Sequence, residues 1–468
     1  MTDKELYEKL KYKPKNAYEE MTPEEIKAML DMADDYRKFL DAGKTERECV
    51  EIAEEMAVER GFEKLEDKES LKPGDKVYSI NRDKNILLAV IGEEEPENGF
   101  NIVGAHIDSP RLDLKQNPLY ESNEMALLKT HYYGGIKKYQ WTAMPLALHG
   151  VVYTKDGEKI KICIGEKDTD PVFCVTDLLP HLAKDQMAKK MSDGVEGEAL
   201  NILIGGIGVK SDDIQEKVKF KVLSVLNTVY GIKEEDFLSA ELEAVPAFKA
   251  RNVGLDEGFV GAYGQDDRVC AYTSLKGIFD IKAPKKTAVC LLVDKEEIGS
   301  TGNTGMLSRY FEMMLTELTC KISGECNVLK INKAISNSAC LSSDVSAAVD
   351  PNYENVFEKN NSAFAGHGMV LMKYTGSRGK SGASDASAEF VHEMRTIFDN
   401  NNVVWQSGEL GKVDQGGGGT IAMYIGNLNM NVIDCGVPVL SMHSPFEITA
   451  KSDIYMAYKS YVAFYNDR

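Results

Sequence analysis

The sequence predicts an α/β fold: a three-layer α/β/α main domain with a mostly parallel sheet, interrupted by a smaller β-rich domain. Three observations lead to this prediction. Apolar strand-like runs alternate with helical patterns after residue 251, two apolar runs end abruptly in ionisable residues, and the middle of the chain shows hairpin-like alternation instead. We therefore divide the chain into a first part of the main domain (1–116), an inserted domain (117–250) and a second part of the main domain (251–468).

The first part begins with helices and continues with strands. Residues 22–25 combine a capping threonine, a proline at the first helical position and a glutamate three residues after the cap, which predicts a helix start. Strands are predicted at 77–80, 86–91 and 100–103. The last of them leads directly into a segment with a histidine and an aspartate, at 104–110.

The inserted domain and the second part differ in their patterns. Strands at 146–153 and 159–164 flank an Asp-Gly pair, which is a strong hairpin signal, and a helical stretch is expected around 178–191. The strands predicted after residue 251 are 287–293, 328–335, 369–374, 421–425 and 437–440, with a closing helix at 452–465. Ligands of such α/β sheets bind beyond the carboxyl ends of the strands.

Composition excludes several classes of partner. The chain has 74 acidic against 55 basic residues and a formal charge of -19, so it repels phosphate backbones and anionic membrane surfaces. We therefore expect no nucleic-acid partner. No run of eighteen apolar residues predicts a membrane span, and the N-terminus lacks the apolar core of a signal peptide. The nine cysteines form no C-x-x-C pair, and Cys163, Cys270 and Cys290 lie in apolar runs, which favours buried, reduced thiols in the cytoplasm.

Residues 289–302 carry the strongest chemical signal. An apolar run ends at Asp294, and two adjacent carboxylates, Glu296 and Glu297, follow before a glycine-containing turn. Because adjacent residues of an extended loop point in different directions, one carboxylate can bind a metal while the other faces a bound water, as metal-assisted hydrolysis requires. A solvated pair of glutamates in a surface turn is the alternative for this stretch taken alone.

Further ionisable residues share this setting, since each lies in a loop after an apolar run or beside turn residues. They are His106 with Asp108, Asp266 with Asp267, Asp344 and His443. A carboxylate two residues from a histidine can orient a ligating imidazole. Nitrogen and oxygen ligands suit zinc or manganese, and five ligands with one shared can hold two metals about 3.5–4 Å apart. Any one of these residues alone is more typical of a hydrogen-bonded structural group.

The motifs taken together resemble the aspartyl aminopeptidase family of dizinc metallopeptidases, in its bacterial branch. The resemblance covers essentially the whole chain in order, through segments 104–110, 242–246, 265–268, 294–302, 342–346, 351–353 and 442–445. It implies a catalytic domain interrupted by a dimerisation domain, and a homo-oligomer built from dimers that reaches a tetrahedral dodecamer in the best described members. It also implies two Zn²⁺ per subunit, with Mn²⁺ or Co²⁺ as substitutes.

The resemblance also implies roles for individual residues. One zinc is held by His106 and Asp344 and the other by Glu297 and His443, with Asp266 bridging both, Asp267 behind it, Glu296 as general base and Asp108 supporting His106.

Four more residues receive roles from the family. His181 corresponds to a histidine that reaches a neighbouring subunit's active site; the alternative is a histidine on an apolar helix face. Lys373 corresponds to the lysine that pairs with an acidic substrate side chain; the alternative is a surface lysine. Gly418 and Gly419, in the glycine run 416–419, correspond to backbone that approaches the substrate. A phosphate cradle and a flexible surface loop are the alternatives for that run.

Two features qualify the resemblance. Ala347 and Asp350 stand where eukaryotic members carry histidines, so the acidic preference is less firmly implied than peptidase activity. Residues 376–381 look like part of a phosphate-binding loop, but the required first glycine would fall at Tyr374.

The predicted function is a zinc aminopeptidase that releases N-terminal residues, preferentially Asp or Glu, from peptides. One alternative is a dimetal aminopeptidase of broad or non-acidic specificity. Another keeps the metals but cleaves a phosphoester or a carboxypeptidase-type amide. A third, from another class, is an assembly-forming shell protein with a structural metal site, which would bind zinc without turnover.

Overall fold

The computed structural model describes all residues from 1 to 468. Its helices, α1 to α12 in chain order, are Asp3–Leu10, Ala17–Glu20, Pro23–Ala42, Glu46–Glu59, Lys184–Met187, Lys217–Tyr230, Gln265–Phe279, Tyr310–Ser323, Val328–Ser336, Ala388–Asn400, Ala422–Gly426 and Lys451–Asp467. Its strands, β1 to β21, are Glu63–Lys64, Lys76–Asn81, Asn85–Val90, Asn101–His106, Arg111–Ser122, Met125–Tyr133, Leu146–Tyr153, Lys159–Ile164, Cys174–Val175, Ile202–Gly205, Ala240–Pro246, Arg251–Val253, Phe259–Ala262, Ala288–Val293, Ala339–Ser342, Ser346–Ala347, Met369–Met372, Trp405–Ser407, Asn431–Gly436, Pro438–Leu440 and Glu447–Ala450.

A nine-stranded sheet runs through the molecule in the order β1-β2-β3-β14-β4-β15-β19-β17-β18. Four adjacent strands, β14, β4, β15 and β19, are parallel to one another. The whole sheet is mixed, with five parallel and three antiparallel neighbouring pairs, so it is less parallel than predicted. The antiparallel pairs arise where β2 and β3 form a hairpin and where β3 and β17 meet the parallel strands.

The side chains of the central strands divide between two apolar clusters. On β14, Cys290 and Leu292 belong to the cluster that includes α3, α7 and α12, whereas Val289 and Leu291 belong to the cluster that includes α8. This is the alternation expected of a strand that is buried on both faces. The central strands therefore read as continuous apolar runs and end sharply where polar residues begin.

Two predicted strands are wrong. Residues 328–335 and 421–425 form helices α9 and α11. Short apolar runs do not distinguish a strand from a buried helix by periodicity alone. The Asn327 side chain accepts hydrogen bonds from the backbone N–H groups of Leu329 and Lys330, which starts α9. The strands that do complete the parallel set, β15 and β19, follow these two helices.

Two smaller sheets flank the main one. A seven-stranded sheet in the order β8-β7-β11-β5-β6-β10-β9 is antiparallel and draws its strands from Arg111 to Pro246. It contains the predicted hairpin, whereas the helix expected around 178–191 is limited to α5. A five-stranded sheet, β12-β13-β21-β20-β16, lies in the second part of the chain. As shown below, residues at the ends of all three sheets meet at one place.

Cysteine placement departs from the expectation in two ways. Cys320, near the end of α8, and Cys326, in the turn that follows, are joined in a disulfide. Cys163 is exposed, whereas Cys270 and Cys290 are buried as predicted. Separately, none of the helices combines the length and the apolar character that crossing a membrane requires.

A buried charge cluster joins α4 to the seven-stranded sheet. His149 lies between two carboxylates, with Nδ1 2.8 Å from Glu48 Oε1 and Nε2 3.0 Å from Glu166 Oε1. Lys44 and Lys249 each place Nζ 2.7 Å from the Glu166 carboxylate. Although Glu48, His149 and the neighbouring Cys163 are metal-ligand types, the two lysines already compensate the negative charge. The cluster is therefore an ion-pair network that fixes the two parts of the molecule against each other.

Replacing His149 is expected to destabilise the protein in a pH-dependent way. Burial opposes its charge, but hydrogen bonds with Cys163, Glu166 and Glu48 raise the pKa of His149 to about 11. Because the pKa of His149 is higher in the folded than in the unfolded protein, protonated His149 stabilises the fold. This stabilisation is complete below a pH of about 6.5, the unfolded-state pKa, and declines as the pH rises toward 11. We expect His149→Gln to lower the free energy of unfolding by about 3 kcal/mol at pH 6, with a much smaller difference from wild type at pH 10. Urea denaturation at both values measures this, and a difference independent of pH would contradict it.

Candidate metal centre

Asp266 occupies the centre of a cluster of ligand-type side chains. Its Oδ1 lies 3.2 Å from Nε2 of His106, and its Oδ2 lies 3.2 Å from Nε2 of His443. Asp266 comes just after β13, His106 is the last residue of β4, and His443 follows β20. Two histidines from different sheets therefore face the two oxygens of one carboxylate.

The remaining predicted ligands complete two groups around this aspartate. On one side, His106 Nε2 lies 3.9 Å from both Glu296 Oε2 and Asp344 Oδ1. On the other side, His443 Nε2 lies 3.6 Å from Glu297 Oε2. Two groups of three side chains each have their ligand atoms within 4.8 Å of one another. The first group is His106, Glu296 and Asp344, and the second is His106, Asp266 and Glu297. The structure thus brings together all six side chains that the sequence singled out here.

The topology of the nine-stranded sheet explains this convergence. Val293 ends β14 and pairs with His106 at the end of β4, and the adjacent strand β15 ends at Ser342. Glu296, Glu297 and Asp344 follow these ends by a few residues. Gly436 on the next strand allows the close approach, because a Cβ at that position would lie 1.7 Å from the Asp344 carbonyl oxygen. The carboxyl ends of adjacent parallel strands hold the site, as predicted.

Asp108 holds one side of the cluster from behind. Its Oδ1 and Oδ2 accept hydrogen bonds from the backbone N–H groups of Glu296 and Glu297, each at 3.1 Å. The Nδ1–H of His106 donates to the Asp108 carbonyl oxygen at 3.0 Å, which directs Nε2 toward Asp266. Asp108 is buried beneath the cluster, consistent with a supporting position.

The seven-stranded sheet supplies two partners that the sequence did not indicate. The Tyr133 hydroxyl, at the end of β6, donates to Asp108 Oδ2 at 2.8 Å. The carbonyl oxygen of Gly135 accepts from Nδ1 of His443 at 2.7 Å. Gly134 lies between these two residues. A residue with a Cβ would crowd the cluster there, because that atom would lie 3.2 Å from Glu297 Oε2. The only sequence signal was the Gly-Gly pair itself, and no spacing rule connects it to a histidine 308 residues away.

Burial gives the carboxylates unusual protonation behaviour. Burial raises the pKa of Glu296 to about 7, with the charges of Asp108 and Asp266 adding to the effect. The pKa values of Glu297 and Asp344 are raised well above the ordinary range, first by burial and then by neighbouring carboxylates. Negative charge is therefore crowded, and a divalent cation would relieve the repulsion.

The residues fit zinc. Imidazole nitrogens and carboxylate oxygens form a donor set that zinc accepts, and both Nε2 atoms point into the cluster. Oε1 of Glu297 is buried and has no hydrogen-bond partner, which is costly for a carboxylate oxygen unless a cation or water meets it.

A cavity of about 1030 Å³ opens over the cluster. Asp266, Glu296, Glu297, Asp344 and His443 form part of its wall, and the predicted backbone contacts Gly418 and Gly419 line it as well. Ala347 and Asp350, which replace family histidines, also lie in the wall.

The two remaining predicted residues lie elsewhere. Lys373 is outside the cavity lining, and its Nζ pairs with Asp385 Oδ1 at 2.6 Å. His181 is exposed in the turn before α5, within the region of the seven-stranded sheet.

Comparison with known proteins decides the family. The model of the aminopeptidase I zinc metalloprotease family (M18) matches residues 39–465. The chain belongs to this family. The resemblance inferred from the motifs is thereby confirmed, and the protein is an aminopeptidase of the zinc metalloprotease class. It is 53% identical over 457 residues to a probable M18 family aminopeptidase 1 of Clostridium acetobutylicum, covering 97% of this chain and 98% of that one.

Solved structures agree with this family membership. An M18 aminopeptidase from Thermotoga maritima matches with a TM-score of 0.94 and 44% identity, covering 98% of this chain and all of that one. Aminopeptidase I from Clostridium acetobutylicum matches with a TM-score of 0.92 and 50% identity, with the same coverage. The dodecamer of yeast mApe1, at 20% identity and a TM-score of 0.74, shares the fold; the match covers 93% of this chain and 96% of that one.

Proposed function

We propose that this M18 family member is a dizinc aminopeptidase whose two ions share Asp266. The proposal rests on the position of Asp266. Its Oδ1 lies 3.2 Å from Nε2 of His106, and its Oδ2 lies 3.2 Å from Nε2 of His443. His106 and Asp344 would hold one ion, and Glu297 and His443 the other. Mn²⁺ and Co²⁺ are proposed as substitutes because they accept the same nitrogen and oxygen donors.

Glu296 is proposed as the proton carrier of the reaction. When bound, the two zinc ions supply Lewis acidity for a carbonyl oxygen and lower the pKa of a water molecule. The Glu296 carboxylate accepts a proton from the attacking water, and it later donates that proton to the leaving amine nitrogen as the peptide bond breaks. Glu296 thereby returns to its ionised form. Asp108 fixes the direction of this carboxylate through the Glu296 backbone.

An acidic N-terminal preference is the first candidate for specificity, and it depends on Lys373. In the structure this ammonium is paired with Asp385, so an acidic substrate side chain would have to replace that partner. A broad or neutral preference is the second candidate, and the cavity lining favours it. Met372, Met423 and Met442 line the wall, and thioether side chains adapt to varied apolar groups.

The acidic candidate predicts a selective effect of Lys373→Met. We expect kcat/KM for aspartyl- and glutamyl-nitroanilide to fall about tenfold, since a charge-assisted hydrogen bond contributes about 1.5–3 kcal/mol, while leucyl-nitroanilide is unaffected. Lys380→Met is the matched control, because Lys380 also pairs with Asp385, at 2.9 Å, and has no proposed substrate role. Equal effects of the two variants, with rapid turnover of the leucyl substrate, would support broad specificity instead.

The same assay, run beside zinc analysis, tests the function as a whole. The dizinc aminopeptidase proposal expects two zinc ions per subunit, turnover of at least one aminoacyl-nitroanilide, and none of a nitrophenyl phosphate ester or of an N-blocked peptide. Bound zinc without any turnover would support the shell-protein alternative.

We also propose the assembly that accompanies this function. Residues 1–116 and 251–468 would form the three-layer catalytic domain, and 117–250 the dimerisation domain of a dimer-based homo-oligomer, up to a tetrahedral dodecamer, in the cytoplasm. Strand β5 crosses the first of these boundaries, because it joins the seven-stranded sheet from Arg111 onward. Exposed apolar side chains in the inserted region support an interface there: Leu178, Leu182, Met187 and Met191. In such an assembly the exposed His181 would contribute to a neighbouring subunit's site.

A further inference from the structure

Glu447 contacts the candidate centre without belonging to the proposed ligand set. It is the first residue of β21, and only 1% of its surface is exposed. Its Oε2 accepts a hydrogen bond from the backbone N–H of Asp266 at 3.0 Å, and its Oε1 accepts one from the backbone N–H of His443 at 2.7 Å. One carboxylate therefore connects the residue at the middle of the cluster to one of its two histidines.

The two residues that Glu447 joins need such a link. Asp266 lies at the start of α7, and His443 lies far away in the sequence, in the turn after β20. His443 adopts a positive φ of 62°, which is unfavourable for a residue with a Cβ. The neighbouring Gln265 strengthens the connection, since its Nε2 donates to the Glu447 carbonyl oxygen at 2.7 Å. Strand β21 thus holds both segments through side chain and backbone together.

The partners of Glu447 are backbone N–H groups, and no lysine or arginine forms a salt bridge with it. Charged hydrogen bonds of this kind are shorter and stronger than neutral ones, so they fix distance as well as direction.

We propose that Glu447 is a positioning residue that sets the separation of Asp266 and His443 and thereby holds the zinc site on the His443 side. The inference rests on the proposed dizinc function. It predicts that loss of Glu447 weakens one of the two sites while the His106 and Asp344 side is retained.

Glu447→Gln is the test, because it keeps the size of the side chain but turns one acceptor into an N–H₂ group that faces an N–H donor. Asp453→Asn is the matched control. Asp453 is also a buried carboxylate that accepts two backbone hydrogen bonds, from Gly366 and Gly368 at 2.7 Å each, but it holds a loop away from the centre. Thr449→Val is a second control on β21, where the buried Thr449 hydroxyl has no partner.

The measurement is zinc stoichiometry against free zinc, set with a competing chelator, on the full-length variants, together with thermal unfolding with and without zinc. We expect Glu447→Gln to bind one zinc with wild-type affinity and the second about 10–100-fold more weakly, and to gain less thermal stability from zinc. Asp453→Asn should lose stability but bind both ions as wild type does, and Thr449→Val should change neither.

The inference would be overturned if Glu447→Gln bound zinc with wild-type affinity at both sites. It would also be overturned if Asp453→Asn lost as much zinc affinity as Glu447→Gln. If Glu447→Gln does not fold, Glu447→Asp replaces it: its side chain keeps the charge but is too short to reach both N–H groups, and the same weakening is expected. Failure of the wild-type protein to bind two zinc ions would instead reject the dizinc proposal, so the two failures are distinguishable.

Discussion

Glu296→Gln is expected to lower kcat by about 10³-fold while leaving both zinc ions in place. The amide has the size of the carboxylate but cannot accept a proton from water. Glu296 is the more accessible of the two adjacent glutamates, with 16% of its side chain exposed against 3% for Glu297. The more exposed of the two glutamates is therefore proposed for proton transfer, and the more buried one for metal binding. Steady-state kinetics on an aminoacyl-nitroanilide and zinc analysis of the same sample measure both properties.

Glu297→Gln provides the control for this assignment. It makes the same chemical change at the next residue, whose backbone N–H is held by the same aspartate. We expect this variant to lose zinc from the His443 side, with activity partly restored by excess zinc. Loss of zinc from Glu296→Gln with full retention by Glu297→Gln would reverse the two roles.

The parts of the site that were predicted from the sequence are those attached to strand ends. The apolar runs of β4 and β14 are buried on both faces, so their boundaries are sharp, and His106 and Glu296 follow from those boundaries. The order of the motifs along the chain, which resembles that of the family, then indicates Asp266, Asp344 and His443 as further ligands. Their convergence could be inferred because neighbouring parallel strands present their carboxyl ends at one edge.

The parts that were missed depend on contacts between distant segments. Tyr133 and Gly135 reach the cluster only because β6 belongs to a sheet whose end lies against it, and strand pairing of that kind leaves no local pattern. Glu447 was overlooked for a similar reason, since a lone glutamate at the start of a strand is typically exposed. Helices α9 and α11 are predicted as strands because a short apolar run fits either structure. Only α9 has a side-chain cap, at Asn327, that distinguishes it from a strand.

Asp266→Asn is expected to lower activity by about 10³-fold or more and to lower zinc content at both sites, since an amide offers only one ligating oxygen. Each oxygen of Asp266 faces a different histidine, so the substitution removes one contact and weakens the charge that both cations share. The two facing histidines lower the pKa of Asp266 despite its burial. Metal analysis across free zinc concentrations, paired with kinetics, measures the two losses.

Asp267→Asn is the matched control for this last prediction, because the two aspartates are adjacent and both buried but have different neighbours. Burial raises the pKa of Asp267 well above its ordinary value. An amide has nearly the same size and shape as its carboxyl group, so the substitution changes little in the packing around it. Its Oδ2 accepts the backbone N–H of His106, at 3.3 Å. We expect this variant to keep both zinc ions and most of its activity. If Asp267→Asn instead lost both ions while Asp266→Asn kept them, the shared ligand would be Asp267, and the arrangement of His106 and His443 around Asp266 would need another explanation.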